Sequence, residues 1–263
     1  MTVAGAIRAA NRDGRAALVV YLPAGYPDMA TSRRCLEAAA ASGADLLEVG
    51  FPYSDPLMDG PIIQAANQVA LDAGYTPRDD LVMCADLTAS AGVPALVMTY
   101  YNIAWHFGGT ERLEEFAIAC RDAGLAGAIL PDLPAEEGRP WGAIARSAGL
   151  ETVFLAAPTS PPPRLKAVAE ASTGFVYATS VLGVTGVRHS LSAAAAPLVE
   201  RLRGQTDRPI CVGIGVSTAE HAAEVAAFAD GVIVGSAAVR AAGDGGPAAV
   251  AELVSDLAAG CRR

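Results

Sequence analysis

The chain has 263 residues, of which 52% are hydrophobic and 18% charged, and its net charge is −9. That length is enough for a large core and permits one α/β barrel or two smaller domains. The arginines are scattered rather than clustered, which excludes nucleic acid and anionic membrane as natural partners. The cysteines (Cys35, Cys84, Cys120, Cys211, Cys261) are widely spaced with no CxxC, the pattern of reduced thiols in a cytosolic protein.

In chain order, Arg8, Arg12 and Arg15 precede the apolar run "AALVVYLPAG", a loose imitation of a secretory leader. The run is short, Asp13 stands before it and no small-residue cleavage site follows, so it reads as a first buried strand. No stretch approaches the ~18–20 apolar residues of a membrane span. Further strand candidates are "DLLEVG", "PALVMTYY", "AGAILPD", "ETVFLAA", "GFVYATS", "PICVGIG" and "DGVIVGS", which brings the count to eight. Ala-rich helical stretches alternate with them, among them "MATSRRCLEAAAAS", "ERLEEFAIACRDAG" and "TAEHAAEVAAFA". Thr110, Ser160 and Ser217 are the expected N-caps of three helices.

Strands that are apolar throughout and separated by helices imply a parallel sheet covered on both faces. Eight such units in one chain of this size predict a (β/α)8 TIM barrel, one domain over residues 1–263. The rival is a doubly wound open sheet, but no GxGxxG follows the first strand.

In a barrel, chemistry gathers where strands end and βα loops begin. The long loops are expected after strands two, three and six. In "DLLEVG", alternation sets Leu46, Glu48 and Gly50 on one face and Asp45, Leu47 and Val49 on the other. Both faces are buried, so a carboxylate there needs a partner or a raised pKa. A satisfied structural glutamate is the bland reading; the position of Glu48, two residues from the strand's C-terminal end, favours function. Asp59 in "MDGP", Asp55 in "SDP" and Asp132 in "PDLP" are each ordinary turn aspartates if taken alone. A buried Glu48 with Asp59 closing over it would make an acid/base pair.

The last two strands end in "GIG" (Gly213 to Gly215) and "GS" (Gly235, Ser236), where barrels commonly hold phosphate on backbone N–H groups. Ser236 is expected to cap its helix, and a third glycine cluster, Gly183 to Gly186, lies in the loop after strand six. Lys166, the chain's one lysine, falls in a helix, so no strand-end lysine offers a Schiff base. His106, His189 and His221 lack metal-ligand spacing, and neither a metal nor another cofactor is expected.

Together "EVGFPYSDPLMDGPIIQ", "MTYYN", "PDLPAEE", "FLAAPTS", "GVTGVR" and "DGVIVGSA" resemble the α subunit of tryptophan synthase, over essentially the whole chain. The resemblance implies a (β/α)8 barrel that cleaves indole-3-glycerol phosphate to indole and glyceraldehyde 3-phosphate without a cofactor. It gives Glu48 the proton transfers at the indole carbon and the glycerol hydroxyl, and Asp59 the stabilisation of the indole N–H. Gly186, Gly215, Gly235 and Ser236 match phosphate-binding positions, and Tyr100 and Tyr177 match aromatic residues of the indole pocket. Thr185 matches a loop residue that closes onto the aspartate. The implied partner is a pyridoxal-phosphate β subunit, and the implied location is cytoplasmic.

One segment, Ile103 to Gly109 ("IAWHFGG"), departs from the family's pattern on the partner-facing surface, with Trp105 and Phe107 as possible anchors there. That departure motivates the alternative of a standalone lyase releasing free indole. A catalytically idle phosphate-binding subunit is the third reading, and the presence of both carboxylates argues against it.

Overall fold

A computed structural model describes residues 1–109, 112–179, 191–213 and 215–263, the side chains of 191–194 excepted. Its first half runs α1 (Val3–Arg12), β1 (Ala17–Pro23), α2 (Met29–Ala41), β2 (Leu46–Gly50), α3 (Pro61–Asp72), α4 (Pro77–Ser90), β3 (Ala95–Met98), α5 (Tyr101–His106), α6 (Leu113–Asp122) and β4 (Gly127–Ile129). It continues with α7 (Arg139–Ala148), β5 (Glu151–Ala156), α8 (Pro162–Ala171), β6 (Val176–Thr179), α9 (Leu191–Arg203), β7 (Ile210–Gly213), α10 (Ala219–Ala226), β8 (Gly231–Val234) and α11 (Ser236–Gly260).

The strands pair in parallel in sequence order and β8 returns to β1, closing the expected eight-stranded barrel. Each strand presents alternate residues to two apolar layers. Val19, Leu46, Leu96, Ile129, Val153, Phe175, Cys211 and Ile233 fill the interior. Leu18, Val20, Leu47, Val49 and Val97 pack outward beneath the helices. This double burial is why the strands read as continuous apolar runs.

The first helix falls on the segment whose arginines imitate a leader. Val3, Ile7 and Ala10 of α1 recur on one helical face and join the interior cluster, plugging the floor of the barrel. Thr2 caps α1 from outside it, and the Glu151 carboxylate accepts from the Ala4 N–H at 3.2 Å. All five cysteines are buried and unbridged. Among the described residues no helix is long and apolar enough to cross a membrane.

Several local expectations need correcting. The N-cap of α8 is Pro161, and the Ser160 hydroxyl instead accepts from the Ala157 N–H. Thr218 caps α10 by accepting from the His221 N–H, one residue beyond Ser217. Thr110 lies outside the described residues. Beyond β3 there is little open loop, because Asp132 accepts from the Tyr101 N–H through both oxygens (2.9 and 3.1 Å) and starts α5 almost at once. Phe107 is not a free anchor: it is buried edge-on against Phe116, with the Arg78 guanidinium 5.3 Å from its ring centre. Trp105 is half-buried and stacks on Tyr101.

Candidate active site

Glu48 points into the barrel as alternation predicts, in register with Tyr21 of β1 and Leu96 of β3. It is 1% exposed, and its Oε1 has no hydrogen-bond partner among the described residues. Burial alone pushes its carboxyl up from 4.5 to about 8. Eleven residues on, Asp59 ends the loop that follows β2. Burial lifts Asp59 from 3.8 to about 6, against hydrogen bonds from Asn67 (3.2 Å) and Tyr100 that favour its charge. Near neutral pH the two carboxyls therefore favour opposite states, Glu48 protonated and Asp59 ionised.

Both line one cavity of about 500 Å³ at the C-terminal end of the strands. Its apolar part is made by Met58, Ile63, Met98, Ile233 and the Tyr177 ring. Its other end is Gly215, Ser217, Gly235 and Ser236. A second cavity of about 330 Å³ shares Met58, Met98 and Tyr177 and extends over β4 to β6, towards Asp132 and Leu155.

Two glycines shape this floor. A Cβ on Gly50 would lie 2.3 Å from the Tyr21 hydroxyl, and one on Gly213 would lie 2.2 Å from that of Tyr177. Each tyrosine thus lies across a glycine of the next strand, which lets two large rings flank Glu48 without pushing the barrel open. Burial, then the neighbouring carboxyls, raise both phenols, so they stay neutral hydrogen-bonding groups.

At the glycine-rich end, Gly235 rather than Ser236 is the N-cap of α11, and no side chain among the described residues caps that helix. Its first N–H groups are left for a ligand, with the positive end of the helix dipole behind them. Gly215 adopts φ +78°, a conformation that side chains other than glycine's resist.

Tyr100 does not line this cavity. Its hydroxyl accepts from the Met58 N–H at 2.8 Å, its ring stacks on Tyr53, and its contact with Asp59 ties the loop to β3. Asp55 is exposed, taking a bond from Ser54, and Asp132 caps α5. Thr185, Gly186 and the rest of the Gly183 to Gly186 cluster lie outside the described residues. Sequence reasoning passed over Tyr21, Met58, Ile63, Met98, Ile233 and Arg240. The signal for Tyr21 was its place two residues after Val19, on the interior face of β1.

The family model for the tryptophan synthase alpha chain matches residues 7–259. The chain belongs to the tryptophan synthase alpha chain family. It is a carbon–carbon lyase of tryptophan biosynthesis, and nothing in these likenesses favours the standalone reading. The tryptophan synthase alpha chain of Streptomyces coelicolor is 47% identical over 261 residues, covering 97% of this chain and 95% of that one. That of Acidothermus cellulolyticus is 47% identical over 267 residues, covering 100% and 98%. Among solved structures, aminoacrylate-bound tryptophan synthase from M. tuberculosis superposes with a TM-score of 0.90 at 41% identity, covering 100% of both chains. A tryptophan synthase complex from Pyrococcus furiosus gives 0.81 at 32% identity, covering 93% of this chain and 98% of that one.

Proposed function

We propose that this chain cleaves indole-3-glycerol phosphate in the 500 Å³ cavity, with Glu48 and Asp59 as its catalytic residues. The observation that carries the assignment is the pair of carboxyls, both drawn out of water and lining one cavity. The indole ring lies against Met98, Ile233 and Tyr177, its N–H towards Asp59 and its C3 towards Glu48. The phosphate takes the N–H groups at Gly215, Gly235 and Ser236; the family resemblance adds Gly186 as a phosphate position and Thr185 as a partner of Asp59, both outside the described residues.

Glu48 in its acid form gives a proton to C3, and Asp59 stabilises the positive charge that then develops on the ring nitrogen. The bond from C3 to the glycerol chain breaks, and its electron pair restores the indole. The hydroxyl on the departing carbon becomes the aldehyde as its proton returns to Glu48. Protons balance, and Glu48 ends as it began. Tyr21 and Tyr177 act as walls that hold the acid in place.

The whole chain, 1–263, works as one barrel domain in the cytoplasm and pairs with a pyridoxal-phosphate β subunit. That partner covers the rim where Leu57 is 91% and Met58 55% exposed. The test is indole release from indole-3-glycerol phosphate by the purified chain, with and without a β subunit. Slow release that rises strongly with the partner is expected; fast release indifferent to it would overturn the pairing, and none under either condition would overturn the assignment.

A further inference from the structure

The cavity is charged unevenly. Among the described residues that line it, both acidic side chains, Glu48 and Asp59, lie at one end, while the glycine-rich end holds the single cationic side chain, Arg240. Arg240 sits four residues after Ser236 on α11, one helical turn along the same face. Side chains on a helix lean back towards its N-terminus, so the guanidinium reaches towards the free N–H groups of the first turn.

Several arginines elsewhere in the barrel are occupied. Arg15 clamps Asp45, Arg203 pairs with Asp230, Arg201 donates to the Pro158 and Ser160 carbonyls, and Arg208 donates to that of Thr173. Among the described residues Arg240 makes no ion pair or hydrogen bond. Asp244 stands one turn further along α11, the spacing for a helical ion pair, and the two do not pair. An exposed arginine costs little to leave in water, so freedom alone means nothing. A free arginine at the lip of a cavity, in a chain of net charge −9, is different. A doubly charged ligand approaching that chain meets a repulsive field everywhere except where a local cation and helix termini reverse it.

Building on the reading above, we infer that Arg240 is the residue that selects a phosphorylated substrate. It supplies the charge that backbone N–H groups cannot, forming a charge-assisted hydrogen bond to the phosphate and drawing the anion to the correct end of the cavity. Its effect falls on binding, because it lies at the end opposite Glu48 and Asp59 and the phosphate's charge does not change as the C–C bond breaks. A group that holds ground state and transition state equally alters KM and leaves kcat alone.

The experiment compares the wild-type chain with Arg240→Gln, Arg240→Lys and, as a control for net charge, Arg121→Gln, with the β subunit present throughout. Each is assayed for indole release and titrated separately with the two products, glyceraldehyde 3-phosphate and indole. For Arg240→Gln we expect KM and the Kd for glyceraldehyde 3-phosphate to rise roughly five- to tenfold, with kcat and the Kd for indole within about twofold. Added salt should weaken phosphate binding less in this variant than in wild type. Arg240→Lys should recover most of the loss, and Arg121→Gln should behave as wild type.

Unchanged phosphate binding in Arg240→Gln would overturn the inference, as would equal weakening of phosphate and indole, the mark of a disturbed α11. Wild type that releases no indole would instead defeat the assigned reaction, and the glyceraldehyde 3-phosphate titrations would still judge Arg240.

Discussion

The two ends of this barrel treat carboxylates in opposite ways. At the floor, Asp45, Glu151 and Asp230 stand at the starts of β2, β5 and β8, and each is satisfied. Asp45 accepts from Arg15 at 2.5 and 2.7 Å and from the Leu18 N–H at 2.9 Å. Asp230 pairs with Arg203 at 2.6 Å and accepts from the Ile210 N–H at 2.8 Å. Glu151 holds the start of α1. At the roof, Glu48 keeps a buried oxygen without a partner among the described residues, and Asp59 is drawn out of water in the same cavity. Glu48 lies three positions beyond Asp45, which places one at the stabilising end of the strand and the other at the catalytic depth. Sequence spacing is a poor measure of role here; depth along the strand is a good one.

Glu48→Gln puts the largest strain on that contrast. It should lower kcat for indole release at least about 10³-fold, since one residue performs both proton transfers, while circular dichroism stays native. Near-normal turnover would remove the distinction between roof and floor. Asp45→Asn should do the reverse, leaving kcat within twofold and lowering stability to urea by about 1–3 kcal/mol as Arg15 loses its charged partner. A variant of equal stability with impaired turnover would place function at the floor.

The contrast was partly legible in the sequence. The eight strands announced themselves because double burial makes them apolar on both faces, and Glu48 stood out as the interruption. What failed were features fixed by packing. Phe107 looked like a surface anchor, but it fills the space between α4 and α6, beside Phe116. Tyr100 looked like pocket lining, but its hydroxyl is committed to the backbone of the loop at Met58. Helix α1 was hidden because three arginines around Val3, Ile7 and Ala10 drew attention away from the apolar stripe. That Glu48 and Asp59 share a cavity follows from how the loop after β2 folds back, which no spacing rule states.

Asp80 gives the smallest test. It is buried in α4 with Oδ1 unpartnered, and burial raises it from 3.8 to about 8, yet it lines neither cavity at the roof. Its native pKa lies above its unfolded one, so it subtracts stability as pH rises between those values and adds none below them. Asp80→Asn should therefore match wild type in melting temperature at acid pH and exceed it by a few degrees above about pH 8, by on the order of 1 kcal/mol. Its turnover should stay unchanged. A gain that is largest in acid would reverse the sign and refute the burial argument; lost turnover would mean that a raised carboxyl works away from the cavity.

The most direct test of the central claim is the pH dependence of kcat/KM for indole release, which reports groups of the free enzyme. With Asp59 near 6 and Glu48 near 8, the active form carries a charged aspartate and a neutral glutamic acid. The profile should rise as Asp59 loses its proton, fall as Glu48 loses its own, and keep only the acid limb in the residual activity of Glu48→Gln. An alkaline limb that persists in that variant, or a wild-type profile flat across both limbs, would contradict the account.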